Sequence, residues 1–428
     1  MRKRIFSIIT AAVMLSLCAC SGNSSDSTPE NSAPAETSAV TEPVSEFPAL
    51  ELSKSWDTDP NFETYVSNTV IATGSNKFIS EAKNITYRAW IPVEEYGSFD
   101  YAFYFSNTVD STWERGTRQG YVGMPGGAYE ITSAYIYDGG TGIEDEPQNK
   151  TAVTFNGSTS RSVASGETFW SDPVSFNVPE GHYLLWEWTI AGEDIPCICM
   201  SGMTHAYADK GQGFYYVNEI PLPVLFGCNR DVSNTIITLG DSITQGCETT
   251  DNACEFWAAE ISKALGSDTS LWNLGLGYSR ATDAAQGGDW LKRARYADTV
   301  IVAFGTNDII TGKYGEVGST SALRIKDALT SITSVLTDAG CNVILMSSPP
   351  FDMIPEMESI RTELNTYIPE IAEANDKVYY FDFASVLENP DDPSAALYGG
   401  HPNDEGCDIA AKAIMAEYGD LLAGNNAE

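Results

Sequence analysis

Histidine is scarce: three in 428 residues, at His182, His205 and His401. No Cys-x-x-Cys pair occurs, so the spacing that commonly holds zinc is missing and no metal is expected. Basic residues are few beside acidic ones, 24 Lys and Arg against 59 Asp and Glu, and the formal charge is −35. Such a surface repels phosphate backbones, which argues against a nucleic-acid partner. Beyond the first residues no apolar run is long enough to span a bilayer. What is present is ordinary apolar content, plentiful aromatics, and enough length for two cores.

The first residues differ from all others. "MRKR" is basic, "IFSIITAAVMLSL" is apolar but short, and "LCAC" sets Leu17 three residues before Cys20 with small Ala19 between. This resembles the bacterial lipobox. The resemblance implies a lipoprotein signal peptide over 1–19 and a lipid on Cys20 as the membrane hold; the alternative is a plain secretory signal cut nearby. Residues 20–46 are nearly all Ser, Thr, Pro, Ala and Glu, so they read as a disordered tether of up to about 90 Å. The expected location is the cell surface, lipid-anchored or secreted, and the acidic charge suits a neutral substrate there.

Cys197, Cys199, Cys228, Cys247, Cys254, Cys341 and Cys407 remain, an odd number, so at least one stays unbridged within the chain. Cys247 and Cys254 flank a polar loop, either as a bridge or as two thiols. Cys341 opens an apolar strand and reads as a buried thiol.

The body divides by period. Over 47–232, runs such as "NITYRAWIPV", "FDYAFYFSNTV", "SAYIYDGG" and "HYLLWEWTI" are punctuated by Gly, Pro, Asn and Asp. They predict an all-β sandwich of jelly-roll type. The Gly-rich "GTRQGYVGMPGGAYE" is not assigned. Over 233–428, the apolar runs "TIITLG", "SLWNLG", "DTVIVAFG", "NVILMSS" and "VYYFDF" alternate with helical stretches. One of those stretches is "ATDAAQGGDWLKRARY", and a last helix runs from about Asp404 to Leu422. The pattern predicts α/β architecture, an open five-stranded parallel sheet with ligands beyond its carboxyl ends.

Four polar segments follow those strands: "GDSIT" with Ser242, "NLGLGYSR", "GTND" with Asn307, and "GGHPNDEG" with His401. Each has a plain reading, Ser242 as a helix cap, Asn307 as a turn residue, His401 as a loop marker. In this order, from Thr235 to about Leu422, they resemble the four blocks of the SGNH/GDSL hydrolase family. The resemblance implies a flavodoxin-like three-layer fold and a serine esterase without cofactor. Ser242 is then the nucleophile and His401 its base. The oxyanion is held by the amide of Ser242, an amide of the Gly275–Tyr278 turn and the Asn307 side chain. Asp241 and Asp308 brace loops.

Two positions depart from the family. Its glycine five residues after the Asn of the second block is here Tyr278, so the oxyanion amide belongs to Gly277 or to Tyr278. Its last block is usually DxxH, and Tyr398 stands where the Asp belongs. A backbone carbonyl then orients His401 Nδ1, or an acid from "NPDDPS", Asp391 or Asp392, does so.

The segment "TFNGSTSRSVASGETFWSDPVSFNVPEG" also resembles the β-domain preceding the hydrolase in a branch of secreted acetyl esterases, some associated with xylan. It implies an acylated polysaccharide or oligosaccharide as partner. Trp113, Trp186 and Trp188 either stack sugars or fill the core. The alternatives are a lipase or lysophospholipase, though no long apolar lid segment is present, and a glycan-binding lipoprotein with a degenerate hydrolase domain.

Overall fold

The apolar runs after residue 233 become the predicted parallel sheet in the computed structural model, which describes residues 56–112, 121–199, 203–311 and 320–425. The signal peptide, Cys20, the tether and Trp113 lie outside those residues. In spatial order the strands are Thr269–Gly275, Asn234–Gly240, Thr299–Ala303, Asn342–Met346 and Val378–Phe381. The first strand in sequence lies between the second and the third, so the order reverses there. Its parallel register sets Gly240 level with Gly275 on one side and Ala303 on the other. Three loops therefore leave the sheet side by side, at the place where such sheets bind ligands.

Successive strand residues face opposite layers. Ile236, Leu271, Ile301 and Ile344 pack with Trp257 and Ile261 of the Trp257–Leu265 helix and with Ala410 and Ile414 of the Asp404–Leu422 helix. Ile237, Val300 and Val343 pack with Ile325, Leu329, Leu364 and Ile368 of the Ala322–Asp338 and Pro355–Glu373 helices. The stretch expected as one helix over "ATDAAQGGDWLKRARY" is two, Ala281–Ala284 and Asp289–Ala294. Gly287 and Gly288 separate them, and Gly287 takes φ +76°, which the right-handed helix does not admit.

The upstream region is antiparallel throughout its named sheets. Five strands, centred on Gly97–Ser106, face eight strands centred on Lys77–Ile91 and Leu184–Cys199. Phe103 and Phe226 of the first sheet meet Trp186 of the second at ring-centroid distances of 4.8 and 5.8 Å. Trp186 and Trp188 are core residues, 0 % and 2 % exposed, so the sugar-stacking alternative falls for both.

The β and α/β regions pack as one compact unit. Their seam is apolar around Trp272 and Leu276, and polar elsewhere. Arg293 Nη2 lies 2.5 Å from Asp110 Oδ2, with both side chains nearly fully buried. Glu94 of the β region accepts from Ser262 Oγ at 2.6 Å and from Leu271 N at 3.1 Å, and pairs with Arg230 at 2.5 Å. Ser111 Oγ donates to Asp283 at 2.7 Å. Among the described residues no disulfide forms; Cys247 and Cys254 are not bridged, and Cys341 is buried as its sequence position implies. No described helix is long and apolar enough to cross a membrane.

Candidate active site

Ser242 begins a single helical turn, Ser242–Gln245, just after the Asn234–Gly240 strand. Asp241 caps it, its Oδ1 accepting from Ile243 N at 3.0 Å. The turn sits tightly on its neighbours. A Cβ on Gly240 would lie 2.5 Å from the Ala303 carbonyl oxygen, and one on Gly275 would lie 2.3 Å from Gln245 N. Neither position has room for a side chain. Asn273 ties the turn to the second strand, its Nδ2 donating to Thr244 O at 3.1 Å and its Oδ1 accepting from Gly275 N at 2.8 Å.

His401 arrives from the other end of the sequence. It lies two residues before Asn403, whose side chain caps the Asp404–Leu422 helix through Gly406 N. His401 Nε2 is 2.8 Å from Ser242 Oγ. Ser242 is partly exposed, so the hydroxyl is open to solvent on one side and to imidazole on the other. This pair can pass the serine proton to the ring, which requires the tautomer with its hydrogen on Nδ1. Burial holds the His401 pKa below its ordinary 6.5, while the negative charge of Glu248 pushes the other way. The ring is therefore neutral and basic at neutral pH.

The acid side departs from every expectation. Among the described residues His401 Nδ1 has no hydrogen-bond partner, so neither a backbone carbonyl nor Asp391 nor Asp392 orients it. Both aspartates are exposed. Asp392 accepts from Ser394 N and Oγ at 3.1 and 2.8 Å, and Asp391 N donates to Asn389 Oδ1 at 3.0 Å. The Asp392 carboxylate is thus bonded within its own turn, and the Asp391 backbone is tied into the same loop. Tyr398 does not reach the ring either: its Cδ2 would be 2.6 Å from a Cβ on Gly406, so the phenol covers the start of the last helix. The ring is held instead by Phe351, edge to face at 5.0 Å and 77°.

The oxyanion side contains a second correction. Gly277 N donates to Gln245 Oε1 at 2.5 Å, so the Gly277 amide is committed to that carbonyl rather than turned toward Ser242. The next residue, Tyr278, has φ +70°, the left-handed conformation that glycine adopts most easily. That is the position at which the family carries its glycine. Asn307 is buried and its Nδ2 donates to Ser279 O at 3.0 Å. A carboxamide nitrogen carries two hydrogens, which leaves one to aim elsewhere. Asp308 accepts from Ala281 N, Thr282 N and Thr282 Oγ1 at 2.8, 3.1 and 2.9 Å. Burial lifts its pKa to about 6, and lifts that of Asp241 to about 7 with a further push from Asp308. Both carboxylates serve the loops around the serine.

Sequence reasoning missed Gln245, Asn76, Phe351 and Glu248. Gln245 directly follows the quoted "GDSIT", where its amide was a visible clue. Phe351 follows the "SSPP" strand end. Asn76 lies in the β region, far from any hydrolase block, and carries no sequence signal for this site.

Residues 238–409 match the model of the GDSL-like Lipase/Acylhydrolase family. Among solved structures, a family two carbohydrate esterase from Clostridium thermocellum in complex with cellohexaose is similar. It has 15% identity and a TM-score of 0.37, over 84% of this chain and 99% of that one. A carbohydrate esterase family 3 structure from Talaromyces cellulolyticus shares 20% identity at a TM-score of 0.34, over 44% of this chain and 97% of its own. A variant of an acetyl-xylooligosaccharide esterase from Geobacillus shares 19% at 0.36, over 44% and 95%. No curated protein matches the chain.

Proposed function

We propose that this protein is a serine esterase that removes acetyl or other short acyl groups from a polysaccharide or its oligosaccharides, a reading supported by the match of residues 238–409 to the GDSL-like Lipase/Acylhydrolase family model. The observation that carries the reading is the 2.8 Å contact between Ser242 Oγ and His401 Nε2 at the mouth of a parallel sheet. Ser242 attacks the acyl carbon as its proton passes to Nε2. The carbonyl oxygen becomes an anion, received by the Ser242 amide, the second hydrogen of Asn307 Nδ2 and, of the two amides expected from the Gly277–Tyr278 turn, that of Tyr278. His401 then gives its proton to the sugar oxygen, which leaves as the alcohol. A water, deprotonated by the same nitrogen, cleaves the acyl-enzyme and restores the serine. Every step uses protein groups and water alone.

Three features support a glycan as the alcohol. The "SDPVSFNVP" pattern resembles β-domains of secreted acetyl esterases. The charge of −35 suits a neutral polymer better than an anionic lipid surface. Tyr278, 40 % exposed beside the serine turn, offers a ring face to a sugar. The test is Ser242→Ala against a panel of short-chain esters and acetylated xylan. Hydrolysis should vanish while the fold persists, and a fluorophosphonate should label Ser242 alone. Near wild-type turnover in the variant would refute the assignment.

We also propose that the domain is held at a bacterial cell surface by lipid on Cys20, with 20–46 as tether. Cys20→Ala should shift the protein from the membrane fraction to the medium; retention of the variant in membranes would refute the lipid anchor.

A further inference from the structure

A closed ring of four hydrogen bonds joins the β region to the oxyanion turn. Gly277 N donates to Gln245 Oε1 at 2.5 Å, and Gln245 Nε2 donates to Cys199 O at 2.6 Å. Cys199 N donates to Asn76 Oδ1 at 3.1 Å, and Asn76 Nδ2 donates to Gly277 O at 3.1 Å. Asn76 and Gln245 are both 0 % exposed. Asn76 is further fixed by its own backbone N–H, which donates to Cys197 O at 3.0 Å. Two neutral carboxamides thus grip both polar atoms of Gly277 and hand the strain-free remainder of their bonding to one strand end of the sandwich.

The Gly277 carbonyl and the Tyr278 N–H belong to one planar peptide. In a trans peptide the two bonds point in opposite directions, and none of the described peptide bonds is cis. Whatever holds Gly277 O therefore aims Tyr278 N–H. Asn76 holds it. A Cβ on Gly277 would lie 3.4 Å from Asn76 Nδ2 and 4.0 Å from Ser242 Cβ, so this residue of the turn neighbours both the asparagine and the serine.

We propose that Asn76, a residue of the β region, is a positioning residue for ester hydrolysis: through Gly277 O it fixes the peptide plane that presents Tyr278 N–H to the oxyanion. The inference rests on the esterase reading of Ser242 and His401. It makes the sandwich a working part of the catalytic site, since the grip on the oxyanion turn comes from its strand end. A hydrogen-bond donor aimed in advance contributes because no reorganisation accompanies the reaction. Releasing Gly277 O lets the peptide plane swing, and the donor is lost in the transition state more than in the ground state.

The test is Asn76→Ala in the full-length protein, with active serines counted by fluorophosphonate labelling carried to completion. We expect kcat per labelled serine to fall roughly 10- to 100-fold, short of the 10²–10³-fold for deleting a donor outright, with KM within about twofold. Affinity for a boronic acid that mimics the tetrahedral adduct should fall in parallel. If Asn76→Ala does not fold, Asn76→Asp, which keeps the acceptor for Cys199 N and lacks the carboxamide donor to Gly277 O, carries the same measurement above pH 7. A kcat per labelled serine within twofold of wild type, with only thermal stability lowered, overturns the positioning role. Ester hydrolysis that survives Ser242→Ala, or is absent from the wild type, overturns the esterase reading instead, and appears in arms where Asn76 is untouched.

Discussion

On the oxyanion side of Ser242 nearly every polar group has a fixed partner, whereas on the base side His401 has, among the described residues, one hydrogen bond and one ring contact. Asn273, Gln245, Asn307, Asp308 and Asn76 hold the turns around the serine by amide and carboxylate bonds in a buried setting. His401 has Ser242 on Nε2 and the edge-to-face contact of Phe351. The difference follows from what each side does. Donors to a developing anion work by being rigid before the charge appears. A base works by changing charge, and here the cation that forms is left without an adjacent carboxylate on Nδ1. On the proposed esterase reading, the site is built to stabilise an oxyanion more than an imidazolium.

Six substitutions break or sharpen that contrast. The largest effect belongs to His401→Ala, which should lower kcat by on the order of 10⁴-fold or more. A loss under 100-fold in steady-state assays would put the base elsewhere. Asn307→Ala should cost roughly 10²–10³-fold in kcat, about 3–4 kcal/mol, with little change in KM. If KM rises instead and kcat holds, the amide binds substrate and not the oxyanion. Phe351→Ala removes packing rather than polarity, and a loss of about fivefold is expected from an aromatic contact of roughly 1 kcal/mol. An effect as large as that of Asn307→Ala would erase the asymmetry. The smallest changes concern charge. Neutral His401 is the active form and burial lowers its pKa, so the acid limb of kcat/KM should lie below pH 6.5. Glu248→Gln removes a charge that favours the protonated ring, so the limb should move further down while the rate at pH 8 stays within a few-fold. An upward move would contradict the sign. Asp391→Asn and Asp392→Asn should each stay within a few-fold of wild type. A loss near 10⁴-fold in either would restore a carboxylate to the base side.

The parallel sheet was legible because its strands are buried on both faces: "TIITLG" and "NVILMSS" leave no polar stripe to misread. Ser242, Asn307 and His401 were legible because each follows a strand end or precedes a capped helix, and register brings those ends together. The choice between Gly277 and Tyr278 stayed open for a different reason. Sequence shows which residue is small, but not that a glutamine four positions after Asp241 will take its amide. The acid was sought by charge near His401 in sequence, in "NPDDPS", whereas those aspartates satisfy their own turn. Phe351 and Asn76 reach the site through the third dimension alone, one across a loop and one across the seam, where no spacing rule applies.

The buried Arg293–Asp110 contact has a consequence for inheritance. Arg293 is encoded with the serine and the histidine, but its counter-charge lies in the other half of the gene. A recombinant that borrowed only the later half would carry a stranded guanidinium, and losing one member of a buried pair costs about 3–5 kcal/mol. That is a large share of the roughly 5–15 kcal/mol by which whole domains are stable. In this chain the later half is therefore expected to lose stability when it is separated from the earlier half, and residues that no hydrolase motif contains share in holding it together.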